Sequence, residues 1–273
     1  MMKEYFKDQG SVFPLKKQPL VHCITNTVTV ETMANALLYV DAKPIMTDDT
    51  REFSTLFQQT DSLLLNLGSL SKTKEQSLLA AAKLAEDNKA FVLDIVGAAS
   101  APTALALAHR LSEAKPAVLR GNISEMRAFC GLSRTAKGVD GSSLDQTPDG
   151  IKELIFCLKQ LAQSTVYLAT GKKDIIVAGR KAWLMANGVD ELDRFTGSGD
   201  ILGALIAALL GADHSPISAV MIALGYLNIC GQKAKSKATT IGLADFRHET
   251  LNQLSLLANS DPNWFRQIKG EQQ

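Results

Sequence analysis

The stretch RFTGSGDILGALIAALLG, residues 194–211, places a carboxylate and a glycine-rich turn directly before an apolar helix. The first amides of a helix have no acceptor within the helix, and the helix dipole favours negative charge there. The turn around Gly197 therefore suits a phosphate or a developing negative charge. Asp200 lies in the same first turn, where a carboxylate can cap the helix or take a proton from a hydroxyl. The spacing alone leaves both roles open.

This segment matches neither of the common phosphate-binding motifs. The pattern GxxxxGK[ST] occurs nowhere in the chain, and G-S-G-D-I-L-G is one residue longer than GxGxxG. It also lies far along the chain, where a first strand–helix unit cannot be. The sequence therefore predicts a different anion site, at the N-terminus of a helix that is apolar on every face and should be buried.

A second polar segment, RGNISEM, covers residues 120–126. Asn122 and Glu125 have the spacing of a capping box, which is the interpretation that the sequence favours. Arg120 is suited to phosphate oxygens, and Glu125 is also suited to Mg²⁺, directly or through water. Asp94 ends an apolar stretch, where a charge needs a cap, a partner or a metal because unpaired burial is costly. His22 and Cys23 lie in another apolar stretch. The sequence therefore predicts that His22 is a core side chain rather than a metal ligand.

Short apolar runs alternate with helical patterns along the chain, which predicts a parallel sheet covered on both faces. DIIVAGRKAWLMAN then predicts a hairpin with its turn around Gly179-Arg180, and the chain from residue 200 onward is mostly helical. We find no linker or repeat, so we predict a single α/β domain over residues 1–273. The predicted strands are 20–25, 62–67, 90–96, 117–120 and 165–170, and the predicted helices are 29–40, 73–87, 101–113, 122–131 and 149–163.

The predicted strands end in small or polar residues. In open α/β sheets, ligands bind beyond the carboxyl ends of the strands. Any one of these ends is explained by glycine or asparagine terminating a strand, but five together predict a polar ligand site at one rim of the sheet. The ends are Thr25-Asn26, Asn66-Leu67-Gly68, Asp94 with Gly97, Arg120-Gly121-Asn122 and Thr170-Gly171.

Composition excludes several classes of partner. The 29 basic and 28 acidic residues create no overall field for nucleic acid or an anionic membrane. Residues 1–10 contain no apolar run, so we predict no signal peptide, and the apolar run 201–210 is too short to span a bilayer. The four cysteines are far apart without a CxxC pair, which argues against a zinc site and a disulfide framework. We therefore predict a cytoplasmic protein.

Taken together, these segments resemble hydroxyethylthiazole kinases, which belong to the ribokinase-like superfamily. The matching stretches run in the same order from about residue 12 to 258: 19–49, 63–70, 91–100, 118–126, LATG at 168–171 and RFTGSGDILGAL at 194–205. HCITN and RGNISE are the most specific of them, whereas Gly-x-Gly-Asp is shared across the superfamily.

The resemblance implies a central, mainly parallel sheet flanked by helices on both faces, with a small C-terminal hairpin and a helical end. It implies a homotrimer with active sites at the subunit interfaces. It also implies ATP- and Mg²⁺-dependent phosphorylation of the primary hydroxyl of 4-methyl-5-(2-hydroxyethyl)thiazole in thiamine salvage.

The same resemblance assigns roles to matching positions of this chain. One set of residues lines the thiazole pocket and the anion site, a second set contacts ATP, and a third set holds Mg²⁺. Asp200 is the base. The groups are Met46, Asn26, Gly68 and Gly197 for substrate, Arg120, Thr170 and Asn122 for nucleotide, and Asp94 and Glu125 for metal.

Two positions depart from the family pattern. Members often carry cysteine at the position of Asp200, whereas the wider superfamily has aspartate acting as base there. Ile95 stands where the family usually has proline, which should change only the local loop. Because kinases of hydroxymethylpyrimidine and pyridoxal also use aspartate, a related small-alcohol kinase stays an alternative. A non-catalytic ligand-binding protein is another, but it would not need the acids Asp94, Glu125 and Asp200.

Overall fold

The computed structural model describes residues 12–86, 89–132, 147–237 and 242–273. Two predictions fall outside these ranges: the one made for residues 1–10, that they contain no signal peptide, and the last residue of the predicted helix 73–87. The strands are β1 (Leu20–Ile24), β2 (Lys43–Met46), β3 (Ser62–Asn66), β4 (Phe91–Asp94), β5 (Val118–Asn122), β6 (Val166–Thr170), β7 (Asp174–Ala178), β8 (Lys181–Met185) and β9 (Gly270–Gln272). The α-helices are α1 (Val30–Leu38), α2 (Phe53–Gln59), α3 (Lys72–Ala85), α4 (Pro102–Ser112), α5 (Ile123–Phe129), α6 (Pro148–Leu161), α7 (Ser198–Gly211), α8 (Pro216–Ser236) and α9 (Leu243–Ser260).

All of these strands form one sheet in the order β2-β1-β3-β4-β5-β6-β7-β8-β9. Each neighbouring pair from β2 to β6 is parallel. The pairs β6–β7, β7–β8 and β8–β9 are antiparallel. The predicted α/β fold with a mainly parallel sheet is confirmed. The hairpin is confirmed as well, since Ala178 pairs with Lys181 across the Gly179-Arg180 turn.

Three elements were not predicted from the sequence. β2 reads KPIM, and its proline is tolerated because the strand lies at the edge of the sheet. β9 reads GEQ, is exposed along its length, and is a strand only because it pairs with β8. α2 is a seven-residue helix with one buried residue, Phe53, so it has little apolar periodicity to detect.

The sheet separates two apolar cores. Leu64 of β3 faces one core, whereas Leu63 and Leu65 face the other, as alternation along a strand requires. Helices α1, α7, α8 and α9 cover the first face, and α3, α4, α5 and α6 cover the second. Every residue of α7 from Asp200 to Gly211 is buried, which confirms the prediction made for this helix.

The five strand ends that drew attention in the sequence belong to β1, β3, β4, β5 and β6, which are mutually parallel neighbours. Their carboxyl ends therefore meet at one rim, as predicted. Ile95 extends the β4–β5 pairing because its amide donates to the Arg120 carbonyl at 2.9 Å, a bond that proline cannot make. Across the described ranges, the structure contains no helix long and apolar enough to cross a membrane.

Candidate active site

Asp200, the third residue of α7, points away from its own helix. Its Oδ2 accepts hydrogen bonds from Asn26 Nδ2 at 2.9 Å and from Thr29 Oγ1 at 2.5 Å, and its Oδ1 accepts one from Asn66 Nδ2 at 3.0 Å. Among the described residues, every hydrogen bond to this carboxylate comes from a side chain outside α7. The capping interpretation of Asp200 is therefore wrong, because its oxygens bond to the loop that follows β1 and to the end of β3.

Asn66 connects two acids of the rim. Its Nδ2 donates to Asp94 Oδ2 and to Asp200 Oδ1, each at 3.0 Å, and its Oδ1 accepts the Gly68 amide at 2.9 Å. A Cβ on Gly68 would lie 2.9 Å from Asn66 Oδ1, so a larger residue there would push this amide away. Sequence reasoning treated Asn66 only as a strand end and missed Thr29. The sequence shows that the residues after β1 and at the end of β3 are polar. That they meet at Asp200 depends on β1 lying beside β3.

Arg120 holds the first turn of α7 against the end of β4. Its Nη1 donates to Asp94 Oδ2 at 2.6 Å and to the Gly199 carbonyl at 2.8 Å. The two side chains are buried, with 6% of Arg120 and 1% of Asp94 exposed. Burial raises the pKa of Asp94 to about 7, even though the guanidinium lowers it, and the charges of Asp200 and Glu125 raise it further.

Asn122 and Glu125 form the predicted capping box at the start of α5. Asn122 Oδ1 accepts the Glu125 amide at 2.8 Å, and Glu125 Oε2 accepts the Asn122 amide at 2.7 Å. Glu125 Oε1 also accepts the Gly97 amide at 2.8 Å. Burial raises the pKa of Glu125 against these favourable bonds. This acid therefore anchors both its own helix and the turn after β4.

The rim acids suit a divalent cation that keeps its water. Both oxygens of Asp94 and both of Glu125 already accept hydrogen bonds from the protein. In the part of the chain that the structure describes, no three His, Cys, Asp or Glu side chains are arranged to hold a metal ion directly. Three carboxylates nevertheless share the rim with two cations, Arg120 and the buried Lys74. A hydrated Mg²⁺ shared with phosphates fits this set.

A cavity of about 270 Å³ opens beside the first turn of α7, between the β6–β7 turn and α8. Asp174 lines this cavity and connects two of its sides. Its Oδ1 accepts a hydrogen bond from the Gly171 amide at 3.1 Å, and its Oδ2 accepts one from Asn228 Nδ2 at 3.0 Å. Burial raises the pKa of Asp174 to about 7. Asp174 and Asn228 were not identified from the sequence. Other lining residues are Thr170, Gly171, Ser198 and Gly199.

Gly197 and Met46 occupy two different parts of the same rim. Gly197 directly precedes α7 and has φ +105°, and a Cβ there would lie 2.9 Å from Thr29 Cγ2, so backbone conformation and space both require glycine. Met46 ends β2 and pairs with Cys23 of β1, one strand further out than Asn26. His22 and Cys23 are buried in β1, as predicted.

The predicted site residues thus fall on two sides of Asp200. Asn26, Gly68 and Met46 lie towards β2, and Thr170 lies towards β6 at the cavity. Gly197 and the first amides of α7 lie between these sides, with Arg120 behind the turn. The arrangement combines a carboxylate aimed by neutral donors with uncapped helix amides, which is suited to moving a proton while charge develops nearby.

Comparisons with known proteins agree on one family. The sequence model of the hydroxyethylthiazole kinase family matches residues 15–260. The chain is 52% identical to hydroxyethylthiazole kinase of Enterococcus faecalis over 264 residues, which cover 95% of this chain and 96% of the relative.

Solved structures give the same picture of the fold. Hydroxyethylthiazole kinase from Pyrococcus horikoshii superposes with a TM-score of 0.83 at 27% identity, covering 100% of this chain and 98% of the other. A ribokinase-like superfamily protein from Enterococcus faecalis has a TM-score of 0.64 at 14% identity, with 92% and 89% covered, which shows the fold alone. With a family match over most of its length and a relative at 52% identity, this chain belongs to the hydroxyethylthiazole kinase family.

Proposed function

We propose that this protein transfers the γ-phosphoryl group of ATP to the primary hydroxyl of 4-methyl-5-(2-hydroxyethyl)thiazole, in thiamine salvage. The observation that carries the proposal is the Asp200 carboxylate, held by Asn26, Thr29 and Asn66 next to the uncapped first turn of α7. A pure binding protein has no need for a base oriented in this way. The family relationship supplies the substrate class.

Asp200 acts as the general base on the acceptor side. It takes the hydroxyl proton as the hydroxyl oxygen bonds to the γ-phosphorus and the bond from that phosphorus to the β–γ bridging oxygen breaks, so that ADP leaves. The amides of the Gly197–Gly199 turn receive the negative charge of the transferring group. Asn26, Gly68 and Met46 line the thiazole pocket and hold the hydroxyl within reach of the carboxylate. Phosphoryl transfer depends mainly on such positioning and charge stabilisation.

ATP occupies the side of the rim that contains the cavity near Thr170. Thr170 contacts the nucleotide there, and Arg120 contributes positive charge while its bond to the Gly199 carbonyl keeps the turn in place. Asn122 completes this side from the end of β5. Asp94 and Glu125 would hold Mg²⁺ through water, and the ion would supply positive charge to the phosphates.

A substrate panel tests this proposal directly. Purified protein with Mg-ATP is supplied with the thiazole alcohol, hydroxymethylpyrimidine or pyridoxal, and ADP release is measured. We expect the highest kcat/KM with the thiazole alcohol. A clear preference for one of the other alcohols would contradict the substrate, and the absence of ADP release with all three would favour a non-catalytic binding protein.

We further propose a homotrimer with its active sites at subunit interfaces. Val28 is 72% exposed although it lies between Asn26 and Thr29 of the site, and Met46 is only partly buried. An adjacent subunit would cover this open acceptor side. Light scattering should give three times the mass of one chain, whereas a fully active monomer would contradict the assembly.

We also assign the protein to the cytoplasm. Its cysteines, Cys23, Cys130, Cys157 and Cys230, are all free thiols, which is the state that a reducing compartment maintains. Fractionation of cells that express the protein should recover it with cytoplasmic markers.

A further inference from the structure

Lys74 is a buried cation at the start of α3. Only 5% of it is exposed, and it lies in the first turn of the helix, where the dipole disfavours positive charge. Burial lowers the pKa of Lys74 to about 8, which still leaves the ammonium protonated at neutral pH. Lys72 begins the same helix but is exposed. Packing and helix electrostatics both disfavour Lys74, so its surroundings must compensate for the charge.

The ammonium is directed at the turn that supports the site. Lys74 Nζ donates to the Gly68 carbonyl. On the other side of that residue, the Gly68 amide donates to Asn66 Oδ1 at 2.9 Å. Asn66 Nδ2 in turn donates to Asp200 at 3.0 Å. Hydrogen bonds therefore run from Lys74 through the backbone of Gly68 and the side chain of Asn66 to the base.

Charge attraction points in the same direction. Asp48, Asp200 and Asp94 all favour the protonated form of Lys74 and oppose the effect of its burial. Two of these acids are the partners of Asn66. The position of the ammonium is thus coupled to the carboxylates whose geometry Asn66 sets.

We propose that Lys74 is a positioning residue for phosphoryl transfer. It fixes the Asn66–Gly68 turn, so that Asn66 keeps Asp200 aimed at the acceptor hydroxyl. The inference rests on the proposed function, and it assigns Lys74 no contact with the reacting atoms.

The variant Lys74→Met separates this role from a structural one. We expect kcat to fall about 10- to 100-fold because the base loses its alignment, while the KM for ATP stays within about twofold. The Tm should stay the same or rise, because the variant removes a buried charge. Lys72→Met is the matched control on the same helix and should leave kcat, the KM for ATP and the Tm unchanged. Lys74→Arg, which keeps the charge and the donors, should recover part of the lost kcat.

Each other outcome overturns the assignment. Wild-type turnover in Lys74→Met would show that the turn needs no support, and a lower Tm with unchanged kcat would show a structural residue only. If the methionine variant does not fold, Lys74→Gln is judged by the same criteria. An inactive wild type in the parallel assay would overturn the proposed function, whereas an active wild type with an unaffected Lys74→Met would overturn only the role of Lys74.

Discussion

The helices α5 and α7 begin at the same rim of the sheet, and each carries an acid at its third residue. In α5 that acid is Glu125, whose carboxylate folds back to the amide of the cap residue Asn122. In α7 it is Asp200, whose carboxylate reaches across to Asn26, Thr29 and Asn66. The same position in a helix thus holds a structural acid in one case and the candidate base in the other.

The difference lies in what precedes each acid. Asn122 is an extended residue whose side chain satisfies an amide of α5, so this helix start is closed by its own residues. Gly197 has no side chain and a positive φ, so the first amides of α7 stay available to a ligand. A reactive helix start therefore needs a glycine turn before it and an acid whose carboxylate is hydrogen-bonded to other segments of the chain rather than to its own helix.

The largest effect is expected from Asp200→Asn. Asparagine keeps the shape of the side chain but cannot take the hydroxyl proton, and its NH2 group would face one of the donors that now bond to the carboxylate. We expect kcat to fall by about 10²–10⁴, with a lower Tm and little change in ATP binding. Steady-state kinetics and thermal unfolding measure the two quantities.

Asp200→Cys is the companion variant, since family members often carry cysteine there. It should fold and keep partial activity. Near wild-type turnover in Asp200→Asn would contradict the assignment of the base, because the amides of α7 alone would then be sufficient.

Gly197→Ala tests the open start of α7. A side chain at this φ costs about 1–2 kcal/mol of stability, and the new Cβ would press on Thr29, a donor to Asp200. We expect lower stability and lower kcat together. Gly131→Ala is the matched control, because Gly131 also has a positive φ (+67°) but has no atom within 4 Å of a built Cβ. The control should lose stability and keep its kcat; equal kinetics in both variants would refute the steric argument.

Asn122→Ala tests the closed start of α5. Loss of the cap should lower stability by about 1 kcal/mol, which denaturant unfolding can measure. The KM for ATP should rise a few-fold because the end of β5 also carries Arg120. Asn122→Ser retains a capping side chain and should restore most of the stability. Unchanged stability in the alanine variant would mean that the capping box contributes nothing.

Glu125→Gln should have the smallest effect, and that effect should depend on pH. Burial raises the pKa of Glu125, so the protonated side chain stabilises the folded wild type relative to the variant. This stabilisation is complete below about pH 4 and is lost as pH rises through the raised pKa. Unfolding curves of both proteins from about pH 4 to 8 test this trend.

The same variant should need more Mg²⁺ for half-maximal activity. An unchanged Mg²⁺ requirement would leave Glu125 with only its part in the capping box.

Much of the fold followed from local pattern. The continuous apolar runs of β3 and β4 and the regular helices between strands were predicted within a few residues of their observed bounds. β2 and β9 could not be predicted because Pro44 and the polar Gly270–Gln272 become strand residues only through pairing with a neighbour. Asp174 was missed for a related reason, since its partner Asn228 lies on a distant helix.

Sequence alone determined the features of the site that depend on near neighbours. The capping box from Asn122 to Glu125 covers four residues. The turn at Gly197 and the buried helix α7 are likewise adjacent to each other in the chain. Only the tertiary structure decided where Asp200 points, because its partners Asn26, Thr29 and Asn66 are 174, 171 and 134 residues away. A side chain can be predicted to cap its own helix from spacing, but a long-range hydrogen bond exists only once the order of strands β1 and β3 has brought its donor to the acid.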